Sequence, residues 1–157
     1  MALQAPTPAS MTASSAGPSR VQVQWRRLRF AVRRDPLAAL TSPPLAIRLA
    51  DELLARTAIA HPDTEIWCSL AVRPLAALLD SASPAGAGRG IEWLRDTLSG
   101  IGAAEVDEKI WDHAQAACNR PARSVALHTA LPWLRGLDRR QRNRVTRVMH
   151  YALAGLH

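Results

Sequence analysis

Prolines and glycines divide residues 41–157 into short segments, and within each segment the apolar residues recur every three or four positions. This spacing is typical of amphipathic α-helices, and no segment shows a convincing core-strand pattern. Hydrophobic residues make up 48% of the 157-residue chain, which is enough for the packed core of one domain. The sequence therefore predicts an all-α fold, a compact bundle of five or six helices with a disordered N-terminal tail.

The first two helices are predicted from their start signals. Residues 41–44 place a hydroxyl side chain before two prolines, which favours a helix start there, and this helix continues to about Ala60. The second helix is predicted to begin at a cap, Asp63 or Thr64, and to contain Pro74, where we expect a kink. Its predicted inward-facing stripe is Ile66, Trp67, Leu70, Leu75, Leu78 and Leu79.

The remaining helices are predicted at about residues 91–98, 104–117 and 124–134, with a last one starting at Asp138. A glycine-rich loop, SPAGAGRG at 83–90, connects the second helix to the third. Asp138 lies three residues before Gln141, which resembles the spacing of a capping box. The apolar stripe of the last helix is predicted to be Val145, Val148, Met149, Ala152 and Leu153.

The chain preceding these helices divides into a tail, residues 1–20, and a basic arm, residues 21–40, ahead of the helical domain at 41–157. The tail is rich in Ala, Pro, Ser and Thr and has too few large apolar side chains to offset the entropy of ordering. Residues 21–34 read VQVQWRRLRFAVRR and fit two patterns. Val21, Val23 and Trp25 alternate with polar residues as in a strand, whereas Val21, Trp25, Leu28 and Val32 share one face of a helix.

Positive charge is concentrated at the two ends of the chain. The net charge is +7, and residues 1–34 contain six Arg and no acid, whereas residues 135–157 contain six Arg and one Asp. The region between them has a net charge of −4. Clustered Arg attracts polyanions such as nucleic acids or anionic lipids, although it also fits solvated faces in a chain where arginine replaces lysine almost everywhere.

The last predicted helix carries the densest cluster, with five Arg within residues 139–147. Several arginines along one helix could contact successive phosphates, and a tryptophan among basic residues could stack on an unpaired base. The candidate nucleic-acid-binding residues are Arg139, Arg140, Arg142, Arg144 and Arg147 on this helix and Trp25, Arg26 and Arg27 in the arm.

Other kinds of site are poorly supported. The glycine-rich loop lacks the Lys and Ser/Thr of a phosphate-binding P-loop, since the only Lys of the chain is Lys109. The five His and two Cys are scattered without a metal-binding motif, and no group of residues has catalytic spacing. The sequence thus predicts no cofactor, no metal site and no enzyme, and no apolar run reaches the ~18 residues of a membrane span.

Four stretches carry a resemblance to a known family. They are DTEIW at 63–67, LAALL at 75–79, SPAGAGRGIEWL at 83–94 and RRQRNRV at 139–145. Together they resemble the all-helical domain of type IV secretion coupling proteins, the conjugative DNA-transfer ATPases of the actinobacterial kind. The resemblance spans about residues 41–157, but neither the nucleotide-binding motifs of the motor nor its membrane helices are present in this sequence.

The resemblance implies a cytoplasmic, non-catalytic interaction module from a mobile element, since in that family the helical domain helps to engage the DNA–relaxase substrate. The expected partners are DNA, with single strands preferred, or relaxase and coupling-protein components. Two alternatives remain open: a protein–protein adaptor with no role in nucleic-acid binding, and a decayed fragment of a mobile element. The sequence does not specify an oligomeric state.

Overall fold

The computed structural model describes residues 36–103, 107–119 and 124–156. This part of the chain contains seven α-helices and no strand, which confirms the predicted all-α bundle. The helices are α1 Pro43–Ala60, α2 Glu65–Ala82, α3 Gly90–Ile101, α4 Glu108–Cys118, α5 Val125–His128, α6 Ala130–Gly136 and α7 Arg139–Ala154, and a 3-10 turn, Pro62–Thr64, joins α1 to α2.

Helix α2 is the centre of the bundle. It packs along α1 and α7 and also contacts each of α3, α4, α5 and α6. Its second half, from Pro74 to Ala82, is buried on every side because the shorter helices cover the faces that α1 and α7 leave open. Alanines at contact positions such as Ala50 and Ala71, both fully buried, leave little side-chain bulk between the packed helices.

The first turns of α2 correct the predicted apolar stripe. Ile66 and Leu70 were expected to face inward, but their side chains are 69% and 43% exposed. Cys68 and Ala71 are buried instead, and at 100° per residue they lie on the opposite side of the helix. Apolar residues occupy two faces in this stretch, so the prediction combined the face that packs with the face that does not. The helix itself continues unbroken through Pro74.

The core extends further towards the N-terminus than residue 41. Leu37 and Leu40, which the sequence analysis assigned to the basic arm, are 4% and 1% exposed and belong to the core. They lie in a turn closed by the hydrogen bond from Leu40 N to Leu37 O. The predictions for the tail and for residues 21–34 concern chain outside the described residues.

Two other boundaries differ from the prediction. The segment expected as one helix at 124–134 is divided at Thr129 into α5 and α6. The fourth helix begins at Glu108, with the Asp107 carboxylate accepting a hydrogen bond from Lys109 N at 2.9 Å. Residues 104–106, where we predicted its start, lie outside the described part of the chain.

The predicted start of the last helix is confirmed. Asp138 is the N-cap of α7, and its carboxylate accepts a hydrogen bond from Gln141 N at 2.9 Å. The whole predicted stripe of α7, from Val145 to Leu153, is buried. The capping residue and the continuous apolar stripe predict the same helix, and the packing of the bundle preserves it.

Removal of this cap is expected to weaken the fold measurably. Asp138→Ala should lower the free energy of unfolding by about 1 kcal/mol, because a backbone N–H of the first turn loses its acceptor. Urea unfolding followed by far-ultraviolet circular dichroism measures the change. Asp96→Ala is the matched control, because Asp96 is an exposed mid-helix carboxylate of α3 that makes no capping hydrogen bond. An equal loss in both variants would show that the cap contributes nothing specific.

Candidate nucleic-acid interface

Helix α7 presents a row of arginines on the face opposite to its core contacts. Its apolar side packs on α1, α2 and α3. Arg140, Arg144 and Arg147 are exposed and follow one another at four- and three-residue intervals, which places them on one stripe of the helix. We call these three residues the arginine ridge. They are separated by about 6 Å and 4.5 Å along the helix axis, at 1.5 Å per residue.

The arginine ridge is not neutralised by neighbouring carboxylates. Elsewhere in the described chain Arg56 pairs with Glu52 at 2.5 Å, Arg95 pairs with Glu92 at 3.2 Å, and Arg135 pairs with Glu108 and Asp112. No such pair involves a ridge arginine within the described ranges. Three guanidinium groups therefore face solvent with their charge uncompensated.

The ridge is unfavourable for the helix that carries it. Like charges three and four residues apart repel, each pair costing about 0.2–0.5 kcal/mol. Arg139 and Arg140 lie in the first turn, at the positive end of the helix macrodipole, and this turn of α7 contains no acidic residue. An anion bound along the ridge would relieve this repulsion.

Aromatic side chains flank the ridge. The guanidinium carbon of Arg144 lies 5.2 Å from the centroid of the Trp67 ring, within the range of a cation–π contact. One turn beyond Arg147, the Tyr151 ring stacks on the His61 ring, with centroids 4.8 Å apart and an interplanar angle of 29°. Tyr151 is 44% exposed, so this stack lies at the surface and continues the stripe of the ridge.

A shallow depression of about 160 Å³ lies beside the stacked rings. Arg56, Thr57, His61 and Tyr151 contribute to its walls. The surface thus combines cationic groups, exposed ring edges and a recess, the features with which proteins hold unpaired nucleotides.

His150 adds no fixed charge to this surface. Burial lowers the pKa of its imidazole below the ordinary value, although a hydrogen bond with the Leu98 backbone raises it in part. The side chain is therefore largely neutral at pH 7. The positive charge of the α7 face comes from its guanidinium groups.

The other predicted arginines of α7 are placed differently. Arg142 is partly buried on the side towards α6, where its Nη1 donates to the Arg135 carbonyl at 3.1 Å. Its Nε is buried and makes no hydrogen bond, so Arg142 does not share the surface of the ridge. Arg139 is exposed but lies about 100° around the helix from Arg140. Trp25, Arg26 and Arg27 lie outside the described residues.

Sequence reasoning missed the aromatic members of this surface. Tyr151 could have been found from the helical period, because residues 140, 144, 147 and 151 continue one stripe. His61 and Trp67 carry no such signal, since they reach the ridge only through the packing of α7 across the start of α2.

The glycine-rich loop between α2 and α3 does not offer its amides to a phosphate. The N–H groups of Ala87 and Arg89 donate to the Ser81 carbonyl at 3.1 and 3.3 Å, and that of Gly88 donates to the Ser83 carbonyl at 2.9 Å. Gly86 N donates to Ser83 Oγ at 3.0 Å. These internal hydrogen bonds support the interpretation of the segment as an interhelical loop.

The cysteines are placed as structural residues. Cys68 is buried in the core, and Cys118 lies against α2 with its thiol within 3.2 Å of the Ser81 hydroxyl. Burial raises the pKa of the Cys118 thiol to about 11, with a smaller contribution from Asp80, and the Ser81 hydrogen bond opposes the rise only in part. The thiol is therefore protonated at neutral pH and is a weak nucleophile.

No group of three His, Cys, Asp or Glu side chains among the described residues is arranged to hold a metal ion. None of the helices in the same ranges is both long and apolar enough to cross a membrane.

Comparison with known proteins gives no match: no protein family, no curated protein and no solved structure is similar to this chain. The resemblance to the helical domain of coupling proteins therefore stays a prediction that depends on the four stretches quoted above.

Proposed function

We propose that this protein is a non-catalytic module that binds DNA through the arginine ridge and prefers single strands to duplex. The observation that carries the proposal is the charge of Arg140, Arg144 and Arg147, which share one exposed face and form no ion pair within the described ranges. A strand of nucleic acid supplies a line of negative charges that such a row can contact along its length.

The preference for single strands rests on the aromatic groups beside the ridge. Unpaired bases expose their faces and stack on aromatic side chains, whereas the bases of a duplex are stacked on one another. In the proposed complex a base stacks on the exposed His61–Tyr151 pair, next to phosphates that Arg144 and Arg147 contact; the exposure and mutual stacking of these rings support this. The resemblance to coupling proteins adds relaxase or coupling-protein components as further partners, and a cytoplasmic location, to this proposal.

The test is fluorescence anisotropy of a labelled oligonucleotide of about 16 nucleotides, single-stranded or duplex, titrated between about 50 and 200 mM salt. The triple variant Arg140→Gln, Arg144→Gln and Arg147→Gln removes three phosphate contacts. On single strands we expect the slope of log K against log salt to become less steep by about 2, and the affinity near 0.1 M salt to fall about hundredfold.

The matched control is Arg73→Gln, Arg89→Gln and Arg95→Gln, which removes the same charge from α2, α3 and the loop between them. We expect this control to retain most of the affinity, since its arginines lie away from the ridge. Equal losses in the two triple variants would show that only net charge matters. No binding of the unmodified protein at about 50 mM salt would overturn the proposal. Tyr151→Ala separates the two DNA forms, because loss of stacking should weaken single-strand binding alone.

A further inference from the structure

A long apolar groove runs across the face that α1 and α2 present away from α7. It consists of two adjoining depressions of about 560 and 770 Å³, which share Ser69 and Val72 as lining residues. The first reaches Ile59 at the end of α1, and the second reaches Ile47 near the start of α1 and Trp133 on α6. We call this feature the α1–α2 groove.

Large apolar side chains line or border the groove without being covered. Ile59 is 82% exposed, and Leu70 and Trp133 are 43% and 40% exposed. Ile66 lies one turn before Leu70 on the same exposed face of α2. Isolated exposed apolar residues need no explanation, but a contiguous set in a concave surface is typical of a docking site.

The rim of the groove is acidic along its first depression, whereas Arg73 and no acidic residue of the described chain lines the second. Asp51 on α1 and Glu65 at the start of α2 both line it and are exposed. Neither carboxylate forms an ion pair with a base in the described ranges. The occupant that this surface fits is therefore an amphipathic segment with an apolar face and basic flanks.

A segment with this pattern precedes α1 in the sequence and lies outside the described residues. Residues 21–34 place Val21, Trp25, Leu28 and Val32 at helical spacing, with five Arg between and after them. Asp35 and Pro36 follow in the sequence, and Leu37 and Leu40 belong to the core only a few residues before α1 begins. Ile47, at the near end of the groove, lies in the second turn of α1.

The lengths also agree. The groove extends from the level of Ile47 to that of Ile59, about 18 Å at the helical rise. As a helix, the stripe from Val21 to Val32 would be about 16 Å long, whereas the same residues in an extended strand would measure about 36 Å and overrun the groove. The helical alternative for this segment is the one that matches.

We propose that residues 21–34 of this chain dock in the α1–α2 groove, with the Val21–Val32 stripe on its apolar floor. The segment runs antiparallel to α1, so that Val32 lies towards Ile47 and Val21 towards Ile59. Its arginines flank the stripe, and those beside the first depression lie close to the carboxylates of Asp51 and Glu65. In this arrangement Trp25 makes an intramolecular contact with the groove and is not free to stack on a base. Arg26 and Arg27 remain at the surface.

Hydrogen–deuterium exchange of the full chain, read by mass spectrometry, tests this placement without any nucleic acid. We expect the amides of residues 22–34 to exchange at least about tenfold more slowly than those of an unfolded peptide. Trp25→Asp alters the segment, and Ile59→Asp alters the groove. Each substitution should abolish the protection. Ser99→Asp adds the same charge to an exposed position of α3 outside the groove and should preserve it.

The variants are chosen so that loss of folding cannot explain the result. Ile59 makes little contact within the bundle, so Ile59→Asp should leave the helix content and the cooperative unfolding of the bundle intact. Exchange of residues 22–34 at the unfolded rate in the unmodified chain would overturn the proposal, as would protection that survives Ile59→Asp. Protection that increases with protein concentration would also overturn it, because the segment would then come from a second copy.

Discussion

Replacing Trp111 by alanine is expected to lower the free energy of unfolding by about 3–5 kcal/mol. Trp111 is 1% exposed and is the only large side chain among the residues that α4 buries within its described range, the others being Ala114 and Ala117. Its removal leaves a cavity on the buried side of α4, and the other residues that α4 buries are alanines, which are too short to fill it. Domains of this size are stable by about 5–15 kcal/mol, so the loss is a large part of the total.

Guanidinium unfolding monitored by circular dichroism measures this loss. Trp133→Ala is the matched control, because it removes the same side chain from α6, where the ring is 40% exposed. We expect that substitution to cost about 1 kcal/mol, since much of the ring is already in water. Similar losses for the two variants would contradict the view that Trp111 holds α4 on the bundle.

Gly86→Ala is expected to destabilise the protein by about 3 kcal/mol. The loop between α2 and α3 folds back on the end of α2, and a Cβ added at Gly86 would overlap the Asp80 carbonyl group. The overlapping group belongs to the backbone. The overlap can therefore be removed only if the loop moves, which breaks the hydrogen bond from Gly86 N to Ser83 Oγ.

Gly136→Ala, at the end of α6, is the control for the change of residue type. Its Cβ would meet no atom within 4 Å. Alanine there should be neutral or should stabilise by about 0.4–1 kcal/mol, because it restricts the unfolded chain. Thermal unfolding of both variants distinguishes the cases, and a neutral Gly86→Ala would show that the loop adapts without cost.

The parts of the fold that were predictable are those where local signals agree with one another. The first turn of α1, with Pro43 at its start, and the whole of α7 lie where the sequence placed them. The errors at Ile66 and Leu70 arise because α2 is apolar on more than one face, and periodicity alone does not identify which face packs. The break at Thr129 depends on how α5 and α6 fit the bundle, so a local pattern does not reveal it.

The candidate interface was predictable to a similar degree. Helical period and charge suffice to find Arg140, Arg144 and Arg147 on one exposed face. The inward turn of Arg142 depends on the Arg135 carbonyl, seven residues away at the end of another helix. The contacts of Arg144 with Trp67 and of Tyr151 with His61 join residues distant in sequence, and a single sequence contains no record of such pairs.

The central position of α2 determines the order in which the helices should unfold. Helices α1, α2 and α7 share the most extensive mutual contacts, whereas each of α3 to α6 attaches to this trio through smaller ones. Partial openings that release a peripheral helix therefore leave the trio assembled, and it should be the last unit to unfold. The arginine ridge belongs to this unit, so its surface should stay folded after the peripheral helices have unfolded.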